Sequence, residues 1–97
     1  MIGFVMVGTN DLDKAINFYD SILDVIDLKR VGKTGTYASY APKNNLEAVE
    51  FYVTTPFNNE KATIGNGTQI SFYIDTKDKV DSFHSSALSL GAKDEGA

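Results

Sequence analysis

The sequence contains no cysteine, which excludes disulfide bonds, thiolate metal sites and cysteine nucleophiles at once. Its single histidine, His84, falls in a predicted helix, and we interpret it as a structural or surface residue rather than part of a catalytic triad. No apolar run is long enough to span a membrane, and the basic and apolar stretches of a secretory signal are missing. We therefore expect a cytoplasmic protein without a membrane partner.

Basic residues are few and scattered. Nine Lys and Arg residues against 13 Asp and Glu residues give a formal net charge of −4. No basic stripe is interleaved with aromatic residues, so we do not expect nucleic-acid binding. With 42% hydrophobic and 23% charged residues in 97, the composition is that of one small globular domain with one modest core.

Hydrophobic periodicity predicts an α+β protein with two helices. The predicted strands are 2–8, 27–31, 36–41, 48–54 and 68–75, and the predicted helices are 12–23 and 77–90. A turn is predicted over 32–35 and a long polar loop over 55–67. Asn10 or Asp11 is expected to cap the first helix, and Gly91 to follow the second as its C′ glycine. The order of elements is βαβββ followed by βα.

The second strand–helix pair repeats the first at an offset of 65 residues, which is typical of an internal duplication. The identical pairs are Asp13/Asp78, Lys14/Lys79, Phe18/Phe83, Ser21/Ser86 and Leu23/Leu88. We expect one domain over 1–97, with a first module over about 1–66 and the start of a second over about 67–97. The last strands of the second module are not among these residues. The sequence is therefore a fragment, a short variant completed by a partner chain, or a simple sandwich whose repeat is accidental.

Strand alternation separates an apolar face from a mixed face. The apolar set is expected to pack under the helices and comprises Val49, Phe51, Val53, Ile70, Phe72 and Ile74. The mixed face comprises Phe4, Met6, Tyr37, Ser39, Glu50, Tyr52, Gln69, Ser71 and Tyr73. Polar groups that converge among aromatic rings predict a small-molecule cleft. A dimer interface and a solvated outer face remain open as alternatives.

Two stretches resemble the vicinal-oxygen-chelate superfamily, which includes glyoxalase I, bleomycin-resistance proteins and extradiol dioxygenases. In the first, Asp11-Leu12 precedes a helix that carries Phe18-Tyr19; the second, 66–75, precedes a helix that ends in Leu90-Gly91. The resemblance covers nearly the whole chain. It implies a cup built from two βαβββ modules, in which the enzymes of the family hold a divalent metal.

The same resemblance places three of the four metal-ligand positions of the family in this chain. The first-strand position, usually histidine, falls on Phe4, and its counterpart in the second module falls on Gln69. Glu50 stands where glyoxalase I enzymes carry a ligating glutamate. Phe4 has no donor atom and Gln69 offers only a neutral amide oxygen, whereas catalytic sites usually keep three protein ligands. The resemblance therefore implies a degraded metal site.

We expect a small-molecule-binding protein that works without a cofactor as a homodimer. The expected ligand contacts are Phe4, Met6, Tyr37, Tyr52, Gln69, Ser71 and Tyr73. The alternative is a metal-dependent lyase, isomerase or dioxygenase of the same superfamily, with a divalent metal on Glu50 and Gln69 and with Glu50 as the catalytic base. A third interpretation is a self-associating interaction domain without a small ligand.

Overall fold

A computed structural model of the chain describes residues 3–63 and 68–92. Its elements are β1 (Val5–Gly8), α1 (Leu12–Val25), β2 (Leu28–Lys33), β3 (Tyr37–Pro42), β4 (Phe51–Thr54) and α2 (Lys77–Ser89). The strands form one sheet in the order β1-β4-β3-β2, in which β1 runs parallel to β4 and the other neighbours are antiparallel. The α+β class and the βαβββ first unit that the sequence predicts are confirmed.

Helix α1 begins where its sequence provides a cap. The carboxylate of Asp11 accepts a hydrogen bond from the Lys14 backbone N–H at 3.1 Å, and Asp13 lies in the first turn, where the helix dipole favours negative charge. Its buried residues are Ile16, Ile22 and Leu23. Together they turn one side of the helix towards the sheet.

The core lies between α1 and the two central strands. Its buried strand residues are Ala38, Tyr40, Phe51 and Val53. The Tyr40 hydroxyl donates a hydrogen bond of 2.8 Å to the carboxylate of Asp20 on α1, and Arg30 of β2 lies 3.7 Å from the same carboxylate. A buried tyrosine thus fills the core and still satisfies its polar end.

This tyrosine makes stability sensitive to alkali. Burial, and then the hydrogen bond to Asp20, raise the pKa of Tyr40 far above its ordinary value of 10.0. Above about pH 10 the phenol loses its proton in the unfolded chain but keeps it in the folded one. The free energy of unfolding therefore falls by up to about 1.4 kcal/mol per pH unit. We expect Tyr40→Phe to lose stability less steeply than the wild type above about pH 10 in urea unfolding. Equal slopes for the two proteins would contradict this expectation.

Helix α2 begins 65 positions after α1, which is the offset of the sequence repeat. Thr76 caps it by accepting a hydrogen bond from the Lys79 N–H at 3.2 Å, as Asp11 does for α1. Gly91 follows it with a φ of 105°, in agreement with the predicted C′ glycine. None of its residues is buried, and only Phe83 and Ala87 pack against the core.

The start of α2 is tied to the turn after α1 by one ion pair. The Lys79 ammonium lies 2.7 Å from a carboxylate oxygen of Asp27, which adopts a positive φ of 65°. The hydrogen bond and charge of Lys79 lower the pKa of Asp27 and are matched by a raised pKa of Lys79. Both groups are exposed, so this contact orients α2 more than it stabilises the fold.

The predicted strand over 68–75 is wrong: these residues form no ladder with a neighbouring strand. Phe72 still packs as predicted, with its ring centroid 5.7 Å from that of Phe51 and 6.0 Å from that of Phe83. The alternating pattern predicted the direction of the Phe72 side chain correctly. A β-strand, however, forms only where a neighbouring strand pairs with its backbone N–H and C=O groups. The first unit supplies β4 as a neighbour for β1, whereas the described residues that follow this segment, 76–92, supply only α2.

Other element ends differ by a few residues. Strand β4 starts at Phe51 instead of residue 48, and Gly32 and Lys33 belong to β2 instead of a turn. Parts of the predicted first strand, polar loop and second module lie outside the described residues. They are residues 1, 2, 64–67 and 93–97. In the part that is described, neither helix combines the length and apolarity needed to cross a membrane.

Candidate functional site

The face of the sheet opposite the helices, here named the open face, carries the candidate site. Strand register places Met6, Tyr52, Ser39 and Gly32 in one row across β1, β4, β3 and β2. Residues paired across strands point to the same side, and neighbours along a strand point to opposite sides. Because Phe51 faces the helices, this row lies on the open face.

Three aromatic rings contact one another on this face, and we name them the aromatic strip: Phe4, Tyr52 and Tyr37. The ring centroids of Phe4 and Tyr52 are 5.0 Å apart and those of Tyr37 and Tyr52 are 5.9 Å apart, both edge to face. Phe4 remains 54% exposed and the adjacent Met6 51% exposed. Four of the residues that the sequence predicts as ligand contacts are therefore brought together with their apolar surface open to solvent.

A cleft of about 330 Å³ adjoins the strip. It is lined by Met6, by strand residues and their neighbours at Thr36, Tyr37 and Thr54, and by the loop residues Thr55, Pro56, Phe57 and Asn59. The carbonyl of Thr36 holds the start of this loop, because it accepts hydrogen bonds from the Thr54 hydroxyl at 3.1 Å and the Thr55 N–H at 2.8 Å. The volume lies at the lower end of the range for small-molecule sites.

Three residues beyond this loop, at Ala62, the chain is held by Asn10. Its side-chain amide donates to the Ala62 carbonyl at 3.1 Å and accepts from the Ala62 N–H at 2.7 Å. The sequence pattern predicts this segment only as a polar loop and misses its role as a wall of the cleft. The sequence contains little to predict this contact, because hydrogen bonds between one asparagine side chain and a backbone 52 residues away produce no periodic pattern.

Glu50 lies at one end of the strip, one residue before β4. Its backbone N–H donates to the Tyr40 carbonyl at 3.0 Å and its carbonyl accepts from the Val5 N–H at 2.9 Å, so the ladder continues through it. Alternation turns its exposed side chain to the open face, in the row of Phe4. The carboxylate can therefore reach a polar group of a ligand that lies on the strip.

The other predicted contacts lie on the extended segment 68–75. The Gln69 amide donates a hydrogen bond of 3.4 Å to the Ser71 hydroxyl, and both residues are exposed. Tyr73 is 92% exposed and does not join the aromatic strip. His84 is half-buried in α2, on the helix side of the sheet.

The donor set fits a divalent metal poorly. Phe4 has no donor atom, Gln69 offers only a neutral amide oxygen, and Glu50 alone among the three offers a charged oxygen. Among residues 3–63 and 68–92, no three His, Cys, Asp or Glu side chains are grouped as metal ligands. The open face is thus better suited to apolar contacts with one or two polar anchors.

A second cavity, of about 420 Å³, lies on the helix side of the sheet. Phe18, Tyr19, Val53 and Leu90 are among its lining residues. Its floor is the core itself, and the rings of Phe18 and Tyr19 already pack edge to face at 5.2 Å. It is a competing location for a small ligand.

Comparison with known proteins agrees with this architecture. Residues 1–96 match the family model of the Glyoxalase/Bleomycin resistance protein/Dioxygenase superfamily. The crystal structure of a glyoxalase/bleomycin resistance protein from Albidiferax ferrireducens T118 is 31% identical to the chain, with a TM-score of 0.86. The match covers 100% of this chain and 78% of that one. No curated protein matches the sequence.

Proposed function

The chain belongs to the glyoxalase/bleomycin resistance protein/dioxygenase superfamily, and we propose that within it the protein binds an aromatic or amphipathic small molecule on its open face. One observation carries the proposal: Phe4, Tyr52 and Tyr37 contact one another on an uncovered sheet face beside a cleft of about 330 Å³. Contiguous apolar surface of this kind commonly marks a site of ligand or protein binding.

The strip is suited to a flat apolar group because its rings are already ordered. Tyr52 lies between Phe4 and Tyr37, so its side chain is held before a ligand arrives, which lowers the entropy cost of binding. Covering about 100 Å² of apolar surface contributes roughly 2.5 kcal/mol, and edge-to-face contacts add about 0.5–1.5 kcal/mol. Those contributions favour weak to moderate affinity for a two-ring aromatic compound.

Binding is favoured over metal-dependent chemistry by the side chains themselves. Phenylalanine at position 4 replaces a donor with a ring, and that ring contributes to the strip by contacting Tyr52. Glu50 then acts as a polar anchor beside the strip, where its carboxylate accepts hydrogen bonds from a ligand. In this assignment Phe4 makes apolar contacts and Glu50 accepts hydrogen bonds, as their side chains allow.

A second copy of the chain is the partner that we propose for the edge of this face. Strand β1 is paired only with β4 among the described strands, and Phe4 and Met6 beside that edge stay more than half exposed. A dimer that covers both residues would deepen the cleft. Light scattering of the protein used for the binding measurements checks this, and a monomer at all concentrations would contradict it.

Titration with 2-naphthol, followed by the NMR signals of individual aromatic rings, tests the binding proposal. We expect the ring signals of Phe4, Tyr37 and Tyr52 to shift in a saturable way, because bound naphthol would lie within their ring-current fields. The signals of Phe18 and Tyr19, which line the helix-side cavity, serve as the internal control. Shifts confined to those two rings, or no saturable shift, would overturn the proposal.

A further inference from the structure

Phe57 presents a nearly bare aromatic ring beside the open face. The residue is 93% exposed in the loop that follows β4, and it lines the same cleft as Met6 and Tyr37. Those two residues are themselves exposed, so apolar surface open to solvent continues from the aromatic strip, through Tyr37, to the loop. Apolar surface shared by several neighbouring residues commonly marks a site of ligand or protein binding.

Hydrogen bonds fix the backbone on both sides of Phe57, so the place of its ring beside the cleft is a property of the fold. The Asn59 N–H donates to the Pro56 carbonyl at 3.0 Å, which closes a turn with Phe57 at its first central position. On the side of β4, the Thr55 N–H donates to the Thr36 carbonyl at 2.8 Å. A ring carried by a closed turn loses less conformational entropy on binding a ligand than a ring on an open loop.

The lining of the cleft favours an uncharged apolar group. None of the described residues that line it is charged. The Thr54 hydroxyl is already engaged within the protein, because it donates to the Thr36 carbonyl at 3.1 Å and to the Thr55 carbonyl at 2.9 Å. A charged tail of a ligand would therefore lose its hydration here without meeting a counter-charge, whereas an apolar tail gains from leaving water.

We propose that Phe57 is a further ligand contact, and that the cleft takes an uncharged apolar chain attached to the ring that lies on Tyr52. This inference rests on the proposed function, because it assigns the tail of a ligand whose ring the aromatic strip would hold. The chain leaves the strip past Tyr37 and is covered by Phe57. The cleft thereby selects aromatic compounds with an apolar tail over compact aromatic rings.

The test compares 4-hexylphenol with 4-ethylphenol, which has the same ring and a shorter chain. We expect the wild type to bind 4-hexylphenol at least about tenfold more tightly, since each fully buried methylene is worth roughly fourfold in affinity. Phe57→Ala should reduce this preference at least about threefold, and Phe57→Leu, which keeps a large apolar side chain, should retain most of it. NMR should also show nuclear Overhauser effects between the hexyl chain and the Phe57 ring, which a purely structural role would not produce.

Val80→Ala is the matched control, because Val80 is an exposed apolar residue of α2 that does not line the cleft. Its preference should equal that of the wild type. An unchanged preference in Phe57→Ala, with both phenols still shifting the Tyr52 ring signal, would overturn this inference and leave the proposed function intact. If neither phenol shifts the Tyr52 signal in the wild type, the proposed function itself fails.

Discussion

Phe51→Ala is expected to lower the free energy of unfolding by about 3–5 kcal/mol, the largest loss for a single substitution that we foresee. The Phe51 ring is buried and contacts three others, with centroids 5.1 Å from Tyr19, 6.1 Å from Tyr40 and 5.7 Å from Phe72. Alanine leaves a cavity among all three rings. Because a domain of this size is stable by only about 5–15 kcal/mol, such a loss is a large part of the whole.

The substitution should also weaken the packing of α2 against the sheet. Phe72 joins the sheet to α2 by lying between Phe51 and Phe83, and it has no ladder to hold it otherwise. Removing the Phe51 ring should therefore accelerate hydrogen exchange in α2 more than in α1. Urea unfolding and hydrogen exchange on the same variant measure both effects.

Phe57→Ala is the matched control for this substitution, since its ring is 93% exposed in the loop beside the cleft. We expect its stability to stay within about 0.5 kcal/mol of the wild type. A Phe51→Ala variant as stable as Phe57→Ala would show that the packing around Phe51 does not hold the fold together.

Tyr52→Ala is expected to weaken binding of 2-naphthol by at least about tenfold, the effect of a central aromatic anchor. The substitution removes the middle ring of the aromatic strip and also the surface on which Phe4 and Tyr37 rest. The tyrosine ring is only half-buried and lies on the face away from α1, so the core should remain folded. Dissociation constants from the NMR titration measure the loss.

Tyr73→Ala is the control, because it removes the same side chain from outside the strip. The sequence predicts Tyr73 as a ligand contact, but the structure leaves it 92% exposed on the segment over 68–75. We expect its affinity for 2-naphthol to change by less than about twofold. Equal losses in the two variants would mean that the second unit closes over the ligand and that the open face as described is incomplete.

Local patterns made much of the first unit predictable. Asp11 as a cap, the apolar spacing through Leu23 and the alternation of Phe51 with Tyr52 each depend on residues close together in sequence. Such patterns specify which side of an element is apolar, and one layer of helix on one sheet then leaves a single way to bury it. The residues of the open face on β1, β3 and β4 followed from the same alternation.

The segment over 68–75 shows where local patterns stop. Its alternation is as regular as that of β4, and the Phe72 side chain does point into the core. Whether such a segment becomes a strand depends on a hydrogen-bonding neighbour, which is a property of the whole fold and not of the segment. Tyr73 lies on this segment and is 92% exposed, so its contact with a ligand stays a prediction.

The sequence by itself determined the class of the fold, the two capped helices 65 residues apart and the side of each strand that faces the core. Only the tertiary structure decided that Tyr52 lies between Phe4 and Tyr37 and that the loop from Thr55 lines a cleft beside them. Hydrophobic periodicity is a property of one helix or strand, and it specifies only the side to which each side chain points. Distances between residues on different strands depend on register and on the bulge in β2, which emerge only when the sheet is assembled.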